Sequence, residues 1–443
     1  MDNIQEGEDG MVDLTVKVGG VAFKNPVIPA ASELVFDGES AKRMVDFGVG
    51  GIVTKSFTTH PELRVRLRPY QFPLSRLNPA FRESGSFYSL ASPHVEEMPL
   101  VMEKNVPEIA EVCKKKGIPL IVSFYEKPEE IGNWKKVAKG FERAGADMLE
   151  LNFSSPTMKG DLEKSLRGSF KIIESVGRSS NIPIGVKISP MMEPLVDAVK
   201  GWAQRGASFL TAHNAPSGIY VDVEAEVPFG APAIGGYLIG RPFLPVSLAR
   251  VVQILKTLDI PVFGVGGIFT SNDALQYILC GCPIVEVGTA AYTEGLSVFK
   301  RIQRGIVSWM RRKGYTTISD FRGKVLHHIL SSTELKMKER APFALPPETP
   351  YMPKIDRRKC TLCGRCCRSC FYQVLLLDGK KKIVMVERDR CWSCGLCVGI
   401  CPENAIVLVD KVTAKKQIWS GRGLALPFLP GISRGPDPEE KCR

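Results

Sequence analysis

The stretch PLIVSFYEKPEEIGNWKKVAKGFERAGADMLELN, residues 119–152, decides the fold class. It begins with a short apolar run at 119–124, continues into a segment of helical period at 133–144, and ends in a second apolar run at 148–152. A strand, a helix and a second strand in this order form the repeating unit of a parallel sheet. The same alternation extends from residue 15 to about 314.

Eight apolar runs in this region are predicted to be strands. They lie at 27–30, 51–55, 119–124, 148–152, 183–189, 209–215, 261–267 and 284–290. Eight βα units within about 300 residues favour a closed (β/α)8 TIM barrel over an open, doubly wound sheet. The segment LTVKVGGVAFKN, residues 14–25, precedes the first strand and is predicted to form a hairpin with a Gly-Gly turn.

Changes in composition along the chain predict four segments. The barrel occupies residues 15–314, and a less regular stretch that ends near the Pro-rich ALPPETPYMP forms a linker at 315–356. A Cys-rich domain follows at 357–412. The tail, 413–443, is rich in Gly and Pro and has no periodicity.

The overall composition restricts the class of protein. Of the 443 residues, 44% are hydrophobic and 24% are charged, which is close to the globular average and excludes wholesale disorder. No apolar run reaches the roughly 18–20 residues of a membrane span. The acidic N-terminus, MDNIQEGEDGMV, lacks the basic start and the apolar region of a secretory signal. We therefore expect a cytoplasmic protein without a membrane span.

The formal net charge is +12, from 59 Lys and Arg against 47 Asp and Glu. Basic residues are spread along the chain rather than gathered in an arm with interleaved aromatic residues, which argues against nucleic-acid binding. An anionic cofactor or an acidic protein partner explains the excess better.

Nine of the thirteen cysteines lie between Cys360 and Cys401. Eight of them form two runs with the spacing x2-x2-x3. This spacing, written twice, is that of the bacterial ferredoxins, in which the fourth cysteine of each run ligates the other cluster. We therefore predict two [4Fe-4S] clusters, one held by Cys360, Cys363, Cys366 and Cys401 and the other by Cys391, Cys394, Cys397 and Cys370.

A pair of zinc sites is the alternative for these cysteines, but zinc motifs require neither the x2-x2-x3 run nor its repetition. Cys367 is an extra thiol beside the ligands, and Phe371 stands where the second run has Pro402. Iron-sulfur clusters pass electrons one at a time, so any two-electron chemistry belongs in the barrel.

Glycines follow the last two predicted strands, at the end of the barrel where active sites lie. Gly266, Gly267 and Gly288, with Thr289, would let backbone N–H groups approach a phosphate. The alternative is that these glycines serve only tight turns.

Two lysines lie near the ends of predicted strands. Lys55 closes the second strand and Lys187 lies near the end of the fifth. A lysine buried at a barrel mouth is costly unless it faces an anion or an electron-rich ring. The alternative is that one or both point outward and reach solvent.

Several short motifs occur in a fixed order along the eight strands. They are Thr54-Lys55-Ser56, Leu151-Asn152-Phe153-Ser154-Ser155-Pro156, Gly185-Val186-Lys187-Ile188, Ala212-His213-Asn214, Gly235-Gly236 and the two late glycine turns. Over roughly residues 15–314 this order resembles the dihydroorotate dehydrogenase and dihydropyrimidine dehydrogenase family. With the ferredoxin-like domain included, the chain resembles the flavin and iron-sulfur portion of that family.

The resemblance implies a non-covalent FMN at the barrel mouth. Lys55 and Ser56 would approach the flavin ring, and Lys187 would lie near N1 and the C2 carbonyl, where a cation stabilises the reduced flavin. The other cofactor-binding residues that it implies are Gly236 and, around the phosphate, Gly266, Gly267, Gly288 and Thr289.

The resemblance also implies a catalytic residue. In this family the residue after Asn-x-Ser exchanges a proton with the substrate, and here that residue is Ser155. A serine hydroxyl needs a relay partner for this role, and capping the turn after the fourth strand is the alternative. Asn152 and Asn214 match the family's substrate-binding amides, which suit the edge of a cyclic imide or lactam.

Some substrate positions depart from the pattern of the family. Ser89 stands where pyrimidine-specific relatives have a further Asn, Ala215 stands in place of a Thr, and Thr157 replaces an Asn that often follows the proline. Lost hydrogen-bonding groups change specificity strongly. The substrate is therefore either a pyrimidine held by fewer contacts or a less polar conjugated carbonyl compound.

These features together predict an oxidoreductase with FMN and two [4Fe-4S] clusters. It would transfer hydride and proton across a C–C bond next to a carbonyl, in a dihydropyrimidine or dihydroorotate-type substrate. The alternative is an electron-transfer subunit of a larger redox complex that acts on a non-pyrimidine substrate or on none.

The electron partner is expected to be a separate protein. No strand-GxGxxG-helix unit of the dinucleotide-binding kind is evident in the chain. A separate FAD and NAD(P)H subunit, or a ferredoxin, is therefore the expected partner, and we also expect the protein to be an oligomer.

Overall fold

The protein is described by a computed structural model that covers residues 12–60, 71–74, 86–89, 97–153, 162–228, 236–330, 349–413 and 417–419. The chain divides into two compact units, Met1–Ile329 and Leu330–Arg443. Each unit has its own buried core, a large one in the first and a small one that includes cysteines in the second.

The first unit is built on eight parallel strands. They are β1 Val27–Pro29, β2 Ile52–Val53, β3 Leu120–Phe124, β4 Met148–Asn152, β5 Ile184–Lys187, β6 Phe209–Ala212, β7 Val262–Val265 and β8 Ile284–Val287. Their spatial order is β1-β8-β7-β6-β5-β4-β3-β2. The ring closes where the Gly50 N–H donates to the Val27 carbonyl (3.0 Å). The predicted (β/α)8 TIM barrel is confirmed.

Helices surround the strands. They are α1 Gly38–Val45, α2 Val106–Lys116, α3 Ile131–Arg143, α4 Leu162–Gly177, α5 Leu195–Ala203, α6 Leu244–Leu255, α7 Ser271–Cys280, α8 Thr289–Glu294 and α9 Ser297–Lys313. Shorter turns lie at Met98–Leu100, Val101–Asn105, Arg241–Phe243, Ile318–Asp320 and Leu326–His328. Two N-termini are fixed by reciprocal side-chain caps, Asp37 with Ser40 and Thr270 with Asp273.

A cluster of aromatic rings joins α3 to the strands. Phe124 on β3 lies 5.4 Å from Trp134 and 5.5 Å from Phe141, measured between ring centroids, and both partners belong to α3. Trp134 in turn lies 5.6 Å from Phe153, just after β4. All four side chains are buried. Large aromatic rings in contact contribute strongly to the stability of a buried core.

Replacing Phe141 with alanine is expected to lower the free energy of unfolding by about 3–5 kcal/mol, because the lost ring leaves a cavity that its neighbours cannot fill. Urea unfolding followed by circular dichroism measures the change. Lys139→Ala, on the exposed side of α3, is the matched control and should change the free energy by less than about 0.5 kcal/mol. Equal effects of the two variants would contradict the packing assigned to α3.

The predicted N-terminal hairpin is confirmed. Val16–Val18 pairs antiparallel with Val21–Phe23, and the two glycines between them have positive φ angles of 56° and 83°, as a two-residue turn of this kind requires. Phe23 is fully buried, and its ring lies edge-on to Phe263 of β7 at 6.0 Å. The hairpin thus contributes a ring to the barrel core.

Segments of the loops after β2 and β6 pair in a second sheet, here called the loop sheet, which the strand prediction did not include. Its antiparallel strands are, in spatial order, Ser217–Gly218, Gly236–Ile239, Phe87–Ser89 and Gln71–Pro73. A further hairpin, Val221–Asp222 with Val227–Pro228, lies in the β6 loop. Because β2 and β6 stand on opposite sides of the barrel, the loop sheet extends across its carboxyl end.

The second unit contains two small sheets and two short helices. The strands are β9 Tyr351–Ile355, β10 Leu375–Asp378, β11 Ile383–Val386, β12 Ile406–Asp410 and β13 Gln417–Trp419. They form the sheets β9-β12-β13 and β10-β11. The helices are α10 Arg365–Arg368 and α11 Leu396–Gly399, with a 3-10 turn at Arg388–Arg390.

The boundary between the two units lies inside the predicted linker, 315–356. Phe321 is fully buried and contacts Trp309 of α9 at a ring distance of 4.9 Å. At the other end, Tyr351–Ile355 pairs with β12. Both ends of the stretch therefore belong to the folded units, because each carries apolar side chains that a neighbouring core can bury.

Candidate active site and cluster pockets

The carboxyl ends of β2, β4 and β5 bring three predicted site residues together at the mouth of the barrel. Asn152 is the last residue of β4 and pairs in register with Lys187, the last residue of β5. The Asn152 side-chain amide donates to Ser56 Oγ (3.0 Å), which follows β2. Asn152 is 7% exposed and Lys187 is 3% exposed. The three side chains line one side of the mouth.

A chain of hydrogen bonds continues from this group into the barrel. Ser56 Oγ lies 2.8 Å from Ser123 Oγ on β3. Ser123 donates to Glu150 Oε1 (2.7 Å), and Thr211 on β6 donates to Glu150 Oε2 (2.6 Å). Glu150 is fully buried on β4. Two hydroxyl donors in a dry interior solvate its carboxylate and hold the network in one arrangement.

Lys187 is buried as a residue, yet within the described residues its ammonium makes no hydrogen bond or ion pair. A buried cation without a direct partner is costly. It is therefore suited to an anionic or electron-rich ligand at the carboxyl end of β5. The outward, solvent-reaching orientation is wrong for this lysine.

Lys55 also lies at the mouth, but its ammonium has a protein partner. It donates to Glu33 Oε1 (3.0 Å), and Tyr292 donates to the other oxygen of Glu33 (2.8 Å). The Lys55 side chain is 21% exposed. The loops after β1 and β2 and helix α8 thus meet at one ion pair.

Gly266 and Gly267 adopt positive φ angles of 120° and 69° after β7. A Cβ on Gly266 would come within 2.3 Å of Ser247 Oγ, and one on Gly267 within 2.5 Å of the backbone nitrogen of Leu244. Packing against the start of α6 therefore requires glycine at both positions, whether or not a phosphate binds there. Gly267 Cα lies at the N-terminal end of that helix.

Gly288 precedes α8 and differs from the other two glycines. Its φ is −121°, and a Cβ would make one ordinary contact, 3.4 Å from the Cβ of Ala30. Packing within the described residues does not require a glycine here. Its ψ of −80° lies outside the regions that other residues favour, and it stands next to Thr289 at the start of α8.

His213 and Asn214 follow β6. The Asn214 N–H donates to the Ile188 carbonyl (3.0 Å), and His213 Nδ1 contacts the Asn214 carbonyl. His213 is 5% exposed, and burial lowers the pKa of its ring below the ordinary value. It is therefore a neutral imidazole at neutral pH.

The remaining predicted site residues divide into two groups. Ser89 and Gly236 lie in the loop sheet, where the backbone of Ser89 pairs with Tyr237 and Gln71 and that of Gly236 with Gly218. Ser155 and Thr157 lie outside the described residues.

Four polar residues of this region were missed by sequence reasoning: Glu33, Ser123, Glu150 and Glu286. Glu150 and Glu286 could have been recognised in the sequence, because each is a charged residue within an otherwise apolar strand, MLELN and IVEV. Glu150 also lies two residues before Asn152, on the same face of β4. A charged residue in a strand that is buried on both faces is expected to point into the barrel, and both glutamates fit this pattern.

Two pockets in the second unit are each lined by four cysteines. One pocket contains Cys360, Cys363, Cys366 and Cys401. The other contains Cys370, Cys391, Cys394 and Cys397. This is the division that the crossed ferredoxin spacing predicts, with the fourth cysteine of each run in the other pocket.

The surroundings of these thiols suit a charged cluster. Burial raises the pKa of the Cys366 and Cys397 thiols to about 12, so their thiolates need cationic iron beside them at neutral pH. Backbone N–H groups of Ser393 and Ala405 donate to the sulfurs of Cys391 (3.4 Å) and Cys401 (3.3 Å). Hydrogen bonds to ligand sulfur tune cluster potentials.

Among the described residues, no three His, Cys, Asp or Glu side chains converge closely enough to hold a single metal ion. A cubane of four irons keeps its four thiolates farther apart than one tetrahedral zinc does.

A closed barrel with a polar mouth and a second unit with two four-cysteine pockets define an iron-sulfur oxidoreductase. The chain belongs to the dihydroorotate dehydrogenase family, whose family model matches residues 13–310. A second family model, the 4Fe-4S dicluster domain, matches residues 359–405.

Relatives of two kinds are similar to this chain. The catalytic subunits of dihydroorotate dehydrogenase B (NAD(+)) from Pyrococcus horikoshii and Methanocella arvoryzae are 28% and 30% identical to it, over 71% and 68% of this chain and 98% and 94% of their own. The NAD-dependent dihydropyrimidine dehydrogenase subunit PreA from Escherichia coli is 26% identical over 421 residues, 89% of this chain and 95% of its own. The longer match extends beyond the barrel unit.

The family assignment makes the protein an enzyme, and the dicluster domain makes it an iron-sulfur oxidoreductase. In the described ranges, no helix combines the length and apolar character needed to cross a membrane.

Proposed function

We propose that the protein transfers hydride and proton across a C–C bond next to a carbonyl, in a dihydropyrimidine or dihydroorotate-type substrate. It would use FMN at the barrel mouth and two [4Fe-4S] clusters, one in each four-cysteine pocket. The observation that carries the proposal is the buried residue Lys187 at the mouth, whose ammonium has no direct partner among the described residues, in a chain that also contains the two pockets.

The residues present fit the flavin. Lys187 offers a cation beside the position where negative charge develops on reduction. Gly288 leaves its backbone open to a ligand, and Gly266, Gly267 and Thr289 contribute N–H groups near the starts of α6 and α8. Asn152 and Ser56 present amide and hydroxyl groups on the same side of the mouth.

When bound, FMN would supply the two-electron chemistry and the exchange with one-electron carriers. Lys187 would hold the developing negative charge by its ammonium. Asn152 and Asn214 would orient the substrate carbonyl and N–H groups, because a side-chain amide both donates and accepts. Ser155, three residues after Asn152, would exchange the proton at the substrate carbon. Neutral His213 keeps a second positive charge away from Lys187.

Lys187→Met is expected to weaken FMN binding by about ten- to a hundredfold, because it removes a charge-assisted contact worth about 1.5–3 kcal/mol. Fluorescence titration of flavin-depleted protein measures the dissociation constant. Lys200→Met, on the exposed face of α5, is the matched control and should leave it unchanged. Equal affinities of Lys187→Met and the parent would remove this lysine from the flavin site.

A substrate screen tests the activity itself. Anaerobically purified protein, reduced at its flavin, is mixed with uracil, thymine, orotate and other enones, and flavin reoxidation is followed by absorbance. Rapid reoxidation by a pyrimidine supports the proposal, and the departures at Ser89, Thr157 and Ala215 make non-pyrimidine enones the informative comparison. Reoxidation by none of these compounds would favour an electron-transfer subunit.

The electron partner is proposed to be a separate FAD and NAD(P)H subunit or a ferredoxin. Both kinds of relative are named as subunits of NAD-linked enzymes, which supports this assignment. The chain's net charge of +12 suits an acidic partner surface. The rate of electron transfer to the partner is therefore expected to fall steeply as ionic strength rises.

A further inference from the structure

A second buried carboxyl group faces Glu150 inside the barrel. Glu286 lies on β8 and is 1% exposed. Strands β4 and β8 stand on opposite sides of the eight-stranded ring, so their inward side chains meet across the barrel axis. Lys187, at the end of β5, lies beside Asn152 and two positions nearer the mouth than Glu150, and its charge acts on Glu286.

The two carboxyl groups differ in their hydrogen bonds. Glu150 accepts from Ser123 and Thr211. Neither oxygen of Glu286 has a hydrogen-bond partner of good geometry among the described residues, and both are buried. An ionised carboxylate without donors in a dry interior is far more costly than a neutral acid. The proton therefore belongs on Glu286 and the charge on Glu150.

The charges around Glu286 lead to the same assignment. The neighbouring strands β1 and β7 present Ile28 and Val265 in register with it, which do not titrate. The groups that act on it are Glu150, Lys187 and the hydroxyl of Thr211, which donates to Glu150 (2.6 Å). Burial first, and then the charge of Glu150, raise the pKa of Glu286 to about 8, against the opposing effects of Lys187 and Thr211. With Glu286 neutral, one carboxylate balances one ammonium.

We propose that Glu286 is a positioning residue which carries a proton in the resting protein, so that the Lys187 ammonium keeps its charge available to the ligand above it. Ionisation of Glu286 would place a second carboxylate inside the barrel, below Lys187, and draw its ammonium away from the mouth. The inference rests on the proposed flavin site for its consequence, but the protonated state of Glu286 can be tested without flavin.

Infrared spectroscopy of the full chain tests the proton directly. The spectrum of the parent minus that of Glu286→Gln at pH 6.5 is expected to contain a carboxylic-acid C=O band. The band should disappear with a midpoint near pH 8. Glu224→Gln, an exposed control, should give no such band. Absence of the band would overturn the proposal. If Glu286→Gln does not fold, the parent alone must show an acid band that titrates near pH 8.

The pH dependence of stability is a second measurement. The folded protein holds a proton on Glu286 that the unfolded chain releases above its ordinary pKa of 4.5. The parent therefore loses stability as pH rises from about 4.5 to about 8, and Glu286→Gln does not. At pH 8 the variant is expected to melt about 5 °C or more above the parent. A variant that melts below the parent at pH 8 would overturn the proposal.

FMN affinity, measured as a function of pH, tests the consequence for Lys187. FMN affinity of the parent is expected to fall about three- to tenfold between pH 7 and pH 9, and that of Glu286→Gln to remain constant. A parallel fall in both proteins would overturn the positioning role. If neither protein binds FMN, the proposed function fails, and the infrared and melting results still decide the state of Glu286.

Discussion

Ser155→Ala is expected to slow flavin reduction by the dihydro-substrate, or reoxidation by its unsaturated partner, by about 10²–10⁴-fold, the usual contribution of a positioned acid or base. FMN and iron content should stay at the parental level. Ser155 follows β4 by three residues, and the strand ends at Asn152, whose amide is held by Ser56. A proton-transfer group must be held in position by the elements around it.

Anaerobic stopped-flow absorbance measures the half-reaction. Ser154→Ala is the matched control, since it removes the adjacent hydroxyl and should change the rate by less than about threefold, well below the contribution of a positioned acid or base. Ser155→Cys should retain more activity than Ser155→Ala, because a thiol still exchanges a proton. If Ser155→Ala reacts as fast as the parent, the serine caps the turn after β4 and the proton follows another route.

Cys394→Ala is expected to lower the iron content from about eight to about four atoms per chain, through loss of one cluster. Cys394 lines the second four-cysteine pocket, and its loss leaves one iron of a [4Fe-4S] centre without a thiolate, which weakens binding of the cluster. Electron transfer from substrate to an external one-electron acceptor should then be abolished, while reduction of the flavin by substrate continues.

Cys367→Ala is the control for this experiment. Its sulfur lies 4.0 Å from that of Cys366 but is not among the four cysteines of either pocket. This variant should retain about eight irons. A loss of iron from Cys367→Ala equal to that from Cys394→Ala would contradict the assignment of ligands, and about four irons in the parent would contradict the two-cluster proposal.

Much of the fold follows from patterns that are local in sequence. Each βα unit of the barrel has its own apolar run and amphipathic helix, so its strand could be placed within a few residues, as for 148–152 and Met148–Asn152. The Cys runs are equally local, because a short peptide with x2-x2-x3 spacing can wrap one face of a cluster. The ferredoxin pattern also assigns the fourth cysteine of each run to the cluster held by the other run.

The loop sheet shows where local patterns fail. Phe87–Ser89 and Gly236–Ile239 pair across a separation of almost 150 residues. Neither segment shows enough alternation of apolar and polar residues to predict which strand it pairs with. Strands this short are stabilised by the pairing itself. The sequence therefore assigned Ser89 to a substrate loop without indicating that it belongs to a sheet.

The sequence by itself determined the barrel, the two cysteine runs and the residues at the strand ends, because each of these depends on spacing along a few turns of chain. Only the tertiary structure decided which charges meet. It paired Lys55 with Glu33, left Lys187 without a direct partner in the part of the chain that the structure describes, and set Glu286 opposite Glu150. The interactions between charges in a buried site depend on distances between strands far apart in sequence. Burial strengthens these interactions because water does not screen them.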